Sequence, residues 1–245
     1  NYDVILHTAG IAHIKETKEN QDLYYKVNRD LAYEVAKKSK QDGVKQFIFL
    51  STMSVYGLET GIIDKNTLLK PTTNYGKSKF QAEELIKTLE SEDFKVAIIR
   101  PPMVYGKGCK GNYPRLAKLA KFTPIFPDVG NKRSMIFIDN LSEFIRLIID
   151  NEENGLFLPQ NDEYVKTSEM VRLIAEANGK KIRLTKMFNP MLSLIKLNIT
   201  NKVFGDLVYE KKFQYKNESF NNDYLNYETV SFLQSIKLTE SKENF

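Results

Sequence analysis

The chain has 245 residues, of which 42% are hydrophobic and 27% are charged. This composition is typical of a soluble globular protein with enough apolar side chains to bury a core. The apolar runs are much shorter than the roughly 20 residues needed to cross a bilayer, and the N-terminus lacks the pattern of a signal peptide. The single cysteine excludes an internal disulfide, and one cysteine with two histidines argues against a His/Cys zinc site. We therefore expect a cytoplasmic protein that binds no metal.

The net charge of +5 comes from basic residues that are scattered among acidic ones. The run Lys37-Lys38-Ser39-Lys40, for example, is followed by Asp42. A nucleic-acid-binding surface instead gathers its cations on one face or along one helix. We expect neither a nucleic-acid partner nor a membrane partner, whereas a modest positive field suits a doubly charged diphosphate ligand.

The first hundred residues alternate short apolar runs with segments of helical periodicity. The predicted elements are, in chain order, a strand at 4–6, a helix at 22–40, a strand at 47–50, a helix at 74–89 and a strand at 96–99. Nearly continuous apolar strands joined by helices indicate a parallel sheet with helices on both faces. Because ligands of such sheets bind at the carboxyl ends of the strands, we look for the chemistry there.

Beyond Gly106 the pattern becomes looser. Helices are predicted at 113–122, 139–149 and 167–178, the last with Thr167 or Ser168 as its N-cap. The tail from about Lys211 is rich in Asn, Lys and Tyr, so we expect surface structure or partial disorder there.

Tyr75 and Lys79 are spaced so that both side chains lie on one face of the predicted helix. A nearby ammonium stabilises a phenolate and should lower the pKa of the tyrosine, which could then exchange a proton with a substrate hydroxyl. Chance produces the same spacing at Tyr33 and Lys37, but that pair lies in mid-helix, far from any strand end. Thr52, a hydroxyl at a strand end, could be brought beside Tyr75. We therefore expect Thr52, Tyr75 and Lys79 around one substrate oxygen.

Five motifs follow one another along the chain, at 4–10, 50–57, 74–79, 100–106 and 133–140. In this order they resemble the fourth strand, the serine/threonine motif, the catalytic helix, the segment after the sixth strand and the phosphate-binding arginine segment of the NAD-dependent epimerase/dehydratase family, the extended short-chain dehydrogenases. The amino-acid sequences of segments 51–57, 100–103 and 204–209 most resemble those of enzymes of bacterial capsule and O-antigen synthesis.

The resemblance implies a role for each matching residue. Thr52 would hydrogen-bond the sugar oxygen, Tyr75 would transfer its proton, and Lys79 would hold the nicotinamide ribose and tune Tyr75. The positions that match those lining NAD are Ala9, Gly10, Asn28, Ser51, Tyr75, Lys79 and Pro101. The positions that match those near the sugar nucleotide are Thr52, Met103, Asn112, Phe126 and Arg133. The implied ligands are NAD, with NADP as the alternative, and a UDP-sugar.

The resemblance also implies a Rossmann-like, doubly wound sheet with a smaller C-terminal α/β lobe that binds substrate. We assign residues 1–110 to the remainder of the dinucleotide-binding domain and 111–245 mainly to the substrate lobe, with segments returning to the sheet. The family's Gly-rich phosphate loop should precede residue 1, so we expect an N-terminally truncated sheet. By family analogy, the helices at 21–42 and 74–90 would form a homodimer interface.

Two positions depart from the family pattern. Met103 stands where epimerases that act on UDP-glucose usually carry Asn. Met53 and Ser54 stand where the dehydratases carry the Asp and Glu needed for water loss, which argues against dehydration. A literal G-x-G-x-x-G at 106–111 is separated from its strand by two prolines, which favours a loop near the sugar nucleotide over a dinucleotide fingerprint.

Three functional interpretations remain open. The leading one is a UDP-sugar 4-epimerase of bacterial surface polysaccharide synthesis, which acts through a 4-keto intermediate with bound NAD. The second is an NAD(P)H-dependent reductase of a UDP-4-keto-6-deoxy-hexosamine, which needs the same three side chains. The third is a truncated nucleotide-sugar-binding protein without activity.

Overall fold

The computed structural model describes residues 2–12, 14, 16–189, 198–211, 227 and 229–241. Its strands are, in chain order, β1 (Val4–His7), β2 (Gln46–Leu50), β3 (Gly61–Ile63), β4 (Lys95–Ile99), β5 (Met103–Tyr105), β6 (Ile125–Pro127), β7 (Met135–Phe137), β8 (Gly155–Phe157), β9 (Arg183–Thr185) and β10 (Leu207–Tyr209). Its α-helices are α1 (Gln21–Tyr25), α2 (Ala32–Gln41), α3 (Asn74–Lys87), α4 (Tyr113–Phe122), α5 (Ile138–Asp150), α6 (Thr167–Ala177), α7 (Asn198–Phe204) and α8 (Phe232–Glu240).

The centre of the fold is a parallel sheet with the strand order β1-β2-β4-β8. In β2, Phe47, Ile48 and Phe49 are fully buried, as expected of a strand covered on both faces. Helices α2 and α3 cover one face through Ala36 and Ile86 among others, and α5 covers the other. The predicted doubly wound α/β fold is therefore confirmed.

A second cluster of buried side chains, which we call the outer core, lies among α4, α6 and α8. Its largest members are Tyr105, Tyr113, Phe126, Phe137, Met170 and Phe232. Short parallel strand pairs surround it, namely β5 with β7 and β6 with β9. The outer core therefore joins residues that are far apart in the sequence.

Two predictions about the second half of the chain need correction. Helix α6 has Lys166 at its N-cap without a side-chain cap, because the hydroxyl of Thr167 donates to the Val203 carbonyl and that of Ser168 to the Val129 carbonyl. The tail also contributes a packed helix, since Phe232 of α8 is buried in the outer core. Residues 212–226, 228 and 242–245 of the predicted tail lie outside the described residues.

The helix predicted at 22–40 is continuous but irregular. A π-helical segment, Lys26–Leu31, joins α1 to α2 and carries the fully buried Asn28. Such segments inside α-helices often mark functional sites. Among the described residues, no helix has the length and apolar character that a membrane crossing requires.

Candidate active site

A cavity of about 520 Å³ opens beyond the carboxyl ends of β2 and β4. Its lining has two parts. The strand-end side includes Ser51 and Thr52 after β2, Pro101 after β4, and Tyr75 and Lys79 from α3; the loop side includes Met103, Lys110, Asn112 and Arg133. The structure therefore brings together most of the predicted site residues.

Thr52 and Tyr75 are adjacent because α3 packs closely on the short 3-10 helix Met53–Tyr56. Gly76 makes this approach possible, since a Cβ there would lie 2.8 Å from the Ser54 carbonyl oxygen. The side chains of Thr52 and Tyr75 share a hydrogen bond, and the Thr52 hydroxyl also accepts one from the Ser54 N–H at 3.1 Å. The predicted hydroxyl–phenol pair is present in the fold.

The first turn of α3 is held from both of its flanks. The Thr73 hydroxyl accepts a hydrogen bond from the Gly76 N–H at 3.1 Å and caps the helix. The Glu16 carboxylate accepts hydrogen bonds from the N–H groups of Asn74 and Tyr75 at 3.3 and 3.2 Å. A carboxylate is favourable at the positive end of a helix, so Glu16 fixes the turn that carries Tyr75.

The pKa of Tyr75 lies above its ordinary value. Burial destabilises the phenolate, and the hydrogen bond with Thr52 offsets this effect only in part. The prediction that Lys79 lowers the pKa of Tyr75 is therefore wrong in its net direction. Burial of the phenol is the larger effect, and the Lys79 ammonium donates its hydrogen bond to the Leu50 carbonyl at 2.9 Å.

Lys79 is itself strongly perturbed. It is only 4% exposed, and its ammonium lies 4.6 Å from the centre of the Phe49 ring. Burial lowers the pKa of Lys79 to about 8, against the opposing attraction of the Glu83 carboxylate. A substantial fraction of the Lys79 side chain is therefore the neutral amine at mildly alkaline pH.

Asn28 ties the loop after β1 to α3. Its Oδ1 accepts a hydrogen bond from the Ile11 N–H at 2.7 Å, and its Nδ2 donates to the Ile11 carbonyl at 3.0 Å and to the Ser78 hydroxyl at 3.1 Å. A Cβ on Gly10 would lie 3.0 Å from Asn28 Oδ1 and 3.2 Å from Lys79 Nζ. Gly10 therefore lets the loop pass close to Lys79. Asn28 supports the site from behind, and the neighbouring Ala9 is exposed but does not line the cavity.

The loop side holds Arg133 in a partly buried position. Its guanidinium Nη1 donates to the Gly205 carbonyl at 3.0 Å, just after α7. Burial lowers the pKa of Arg133, while Asp206 opposes the shift. The cations of the lining are Lys79, Lys110 and Arg133, and none of the described lining residues is an Asp or Glu. The cavity therefore favours an anionic ligand.

Phe126 is not brought to this cavity. It is 4% exposed, and its ring packs against Phe204 with 5.8 Å between the ring centres. Its position in the outer core explains why an aromatic residue stands there.

The glycine-rich loop at 106–111 lies between β5 and α4 and contributes Cys109 and Lys110 to the cavity. Gly106 has a φ of 152°, and a Cβ there would meet the Ile138 side chain at 2.3 Å. This glycine is explained by close packing of the loop, in agreement with a loop beside the ligand site.

Comparison with known sequences identifies the family of the chain. The sequence model of the NAD dependent epimerase/dehydratase family matches residues 1–158. The chain belongs to this family. A UDP-glucose 4-epimerase of Vibrio cholerae is 37% identical over 191 residues, which cover 74% of this chain and 58% of that protein.

One further relative supports the placement in the family, and one solved structure shows the shared fold. The N-acetyl-alpha-D-glucosaminyl-diphospho-ditrans,octacis-undecaprenol 4-epimerase of Escherichia coli O157:H7 is 30% identical over 194 residues, or 75% of this chain and 58% of that protein. A crystal structure of UDP-glucuronic acid 4-epimerase from Bacillus cereus in complex with NAD superposes with a TM-score of 0.73 at 19% identity. It covers 97% of this chain and 71% of its own, and it shows the shared fold. The chain spans somewhat over half the length of the curated relatives it matches.

Several side chains at the site were missed by sequence reasoning. They are Thr8 and Ala12 beside Gly10, Lys110 in the loop, Glu16 at the start of α3, and the buried pair Glu83 and Arg100. Arg100 and Lys110 lie within the motifs at 100–106 and 106–111, so the sequence pattern could have indicated them. Glu16 and Glu83 had no local signal, because their partners are distant in the sequence.

Proposed function

We propose that the protein is a UDP-sugar 4-epimerase that works with bound NAD. The observation that carries this proposal is the cavity itself, where a hydroxyl, a phenol and an ammonium from Thr52, Tyr75 and Lys79 share a lining that contains three cations and no described carboxylate. The first three groups suit proton transfer at a sugar oxygen, and the cations suit a diphosphate.

The strand-end side fits a dinucleotide. The loop after β1 approaches the site through Gly10, where no Cβ obstructs a ligand, and Ser51 and Pro101 continue the same lining. When bound, NAD would accept a hydride from the sugar carbon and return it. Gly10, Ser51, Lys79 and Pro101 would hold it, with Asn28 keeping the loop in place.

The residues of the chain manage the proton at the sugar 4-hydroxyl. The Thr52 hydroxyl orients that oxygen, and Tyr75 exchanges the proton with it. Since burial raises the pKa of Tyr75, the phenolate needs a stabilising neighbour, and the Thr52 hydroxyl, which lowers that pKa, provides it. Arg133 and Lys110 hold the diphosphate, with Asn112 beside them.

Dehydration is disfavoured by the same lining. Met53 and Ser54 contribute to the cavity directly after Thr52, and neither can act as an acid or a base for water loss. Met103, also in the lining, gives an apolar contact where a polar one is expected for UDP-glucose, so a different UDP-hexose is favoured.

The apolar contacts from Met53 and Met103 are also compatible with a 6-deoxy sugar, which makes the NAD(P)H-dependent 4-keto reductase the second candidate. The two functions differ in cofactor stoichiometry. We would incubate the protein with UDP-glucose or UDP-N-acetylglucosamine and catalytic NAD, and in parallel with a UDP-4-keto-6-deoxy-hexosamine and NADH or NADPH. Formation of the 4-epimer without net NADH supports the epimerase. One reduced cofactor consumed per product supports the reductase, and turnover in neither assay contradicts both.

A role in bacterial surface polysaccharide synthesis and a homodimer complete the proposal. The first is supported by the relative that is named as a 4-epimerase of a sugar joined through a diphosphate to undecaprenol. The second is supported by Leu23 and Leu85, which are 43% and 37% exposed on α1 and α3. Light scattering of the protein and of Leu85→Glu tests the dimer, since a monomer in both contradicts it.

A further inference from the structure

A buried ion pair stands directly behind the strand-end side of the cavity. Glu83 lies on α3, one helical turn beyond Lys79, and is fully buried; Arg100 follows β4 and is 2% exposed. The Arg100 Nε donates to Glu83 Oε1 at 3.0 Å, and its Nη2 donates to Glu83 Oε2. Arg100 and Glu83 are thus joined in a bidentate pair, a geometry that gives such pairs directional strength.

The pair contacts every element that carries a proposed catalytic group. The Ser51 hydroxyl, between Thr52 and the end of β2, donates to Glu83. The Arg100 Nη1 donates to the Tyr56 hydroxyl at 3.0 Å, in the 3-10 helix that Thr52 begins. On the far side, the Tyr209 hydroxyl donates to the Arg100 carbonyl at 2.9 Å. These hydrogen bonds fix the position of the Glu83 carboxylate.

A buried charged pair of this kind is not explained by stability. Replacing such pairs with apolar residues is often neutral or stabilising, because desolvation offsets the attraction between the charges. A positional or electrostatic role is therefore the better explanation. Tyr75, Lys79 and Glu83 recur every four residues, so they share one face of α3.

We propose that Glu83, held by Arg100, is a positioning residue that keeps the Lys79 side chain charged and the Ser51 hydroxyl oriented in the site. The consequence for catalysis rests on the proposed function, whereas the effect of Glu83 on the charge of Lys79 does not. Another titratable group that interacts with Lys79 is His7 on β1, whose pKa is lowered by burial and by the Lys79 charge. Glu83 is the neighbour whose negative charge opposes the effect of burial on the pKa of Lys79.

The test is the pH dependence of Lys79 acetylation by acetic anhydride, followed by peptide mass spectrometry on the protein alone. In the wild type the midpoint is expected near pH 8. In Glu83→Gln, which keeps the shape of the side chain, it should fall by about one pH unit because an attractive neighbouring charge is lost. Glu84→Gln is the matched control, since Glu84 is the next residue of α3 and pairs at the surface with Lys87; its midpoint should not move.

An unchanged midpoint in folded Glu83→Gln overturns the proposal. Because removal of one member of a buried pair can prevent folding, the double variant Glu83→Gln/Arg100→Met is measured as well. It lacks both charges, and its Lys79 midpoint should still lie below that of the wild type; a wild-type midpoint there also overturns the proposal. A shifted midpoint in a protein that turns over no sugar nucleotide would contradict the proposed function and leave the role of Glu83 standing.

Discussion

The two sides of the cavity are built differently. On the strand-end side, Lys79 is 4% exposed and Thr52 is 9% exposed, and both are held by the sheet or by buried polar contacts. On the loop side, Lys110 is exposed, Asn112 is half-buried and the adjoining strands β5 and β7 have three residues each. The strand ends of the central sheet and α3 hold the groups proposed for chemistry, whereas short outer strands and loops hold those proposed for substrate choice. This division lets a family change its substrate without moving its proton-transfer groups.

The largest effect should come from the strand-end side. In Tyr75→Phe the phenol hydroxyl is lost, so turnover should fall by about 10²–10⁴-fold, the usual contribution of a general acid–base group. The measurement is kcat with a UDP-sugar and NAD. Tyr33→Phe is the control, because Tyr33 and Lys37 have the same spacing on α2, and it should keep wild-type turnover. Comparable turnover in both variants would remove Tyr75 from the proposed mechanism.

A smaller effect should come from the loop side, on binding. In Arg133→Gln the guanidinium is replaced by a neutral amide, so the affinity for UDP should fall by about 10–100-fold, as for the loss of a charge-assisted hydrogen bond. Isothermal titration with UDP measures it. Lys132→Gln removes the neighbouring exposed cation and should change the affinity little. An equal loss in both would mean that a diffuse positive field, and not Arg133, binds the ligand.

The pH profile should report the strand-end side again. The pKa of Lys79 is lowered to about 8, so the ammonium is present below that pH and is lost as the pH rises through it. If the ammonium is required, kcat/KM should decline above pH 8, by about tenfold for each pH unit once the lysine is neutral. A profile that stays flat to pH 10, with the protein folded throughout by circular dichroism, would contradict this role.

Phe126 gives the smallest expected effect on function. Because it belongs to the outer core, Phe126→Leu should lower the free energy of unfolding by about 1–2 kcal/mol and leave the affinity for UDP unchanged. Urea unfolding and titration with UDP measure the two quantities. Phe122→Leu is the control, since Phe122 is 77% exposed and its loss should not affect stability. Weaker UDP binding in folded Phe126→Leu would contradict this assignment and indicate that Phe126 contributes to the ligand site.

The sequence predicts the strand-end side better than the loop side. The apolar runs of β2 and β4 and the start of α3 after Thr73 are local signals, and they place Thr52, Tyr75 and Lys79 correctly around one cavity. Glu83 could not be recognised in this way. A glutamate in a helix usually faces solvent, and only the meeting of α3 with the end of β4 buries it against Arg100.

Long-range contacts also explain the other differences. The sequence suggests that the Thr167 hydroxyl caps a helix, but this hydroxyl donates a hydrogen bond to the Val203 carbonyl near the end of α7. Spacing suggested that Lys79 would lower the pKa of Tyr75. Burial of the phenol raises that pKa instead.

The most direct test of the proposed 4-epimerase follows the hydrogen at C4 of a UDP-sugar incubated with the protein and NAD in D₂O. Nuclear magnetic resonance of the product shows whether that hydrogen is retained. The expected product is a 4-epimer that carries the original hydrogen at C4, because the hydride leaves and returns without exchange with solvent. Deuterium at C4, or no 4-epimer from any UDP-hexose tested, would contradict it.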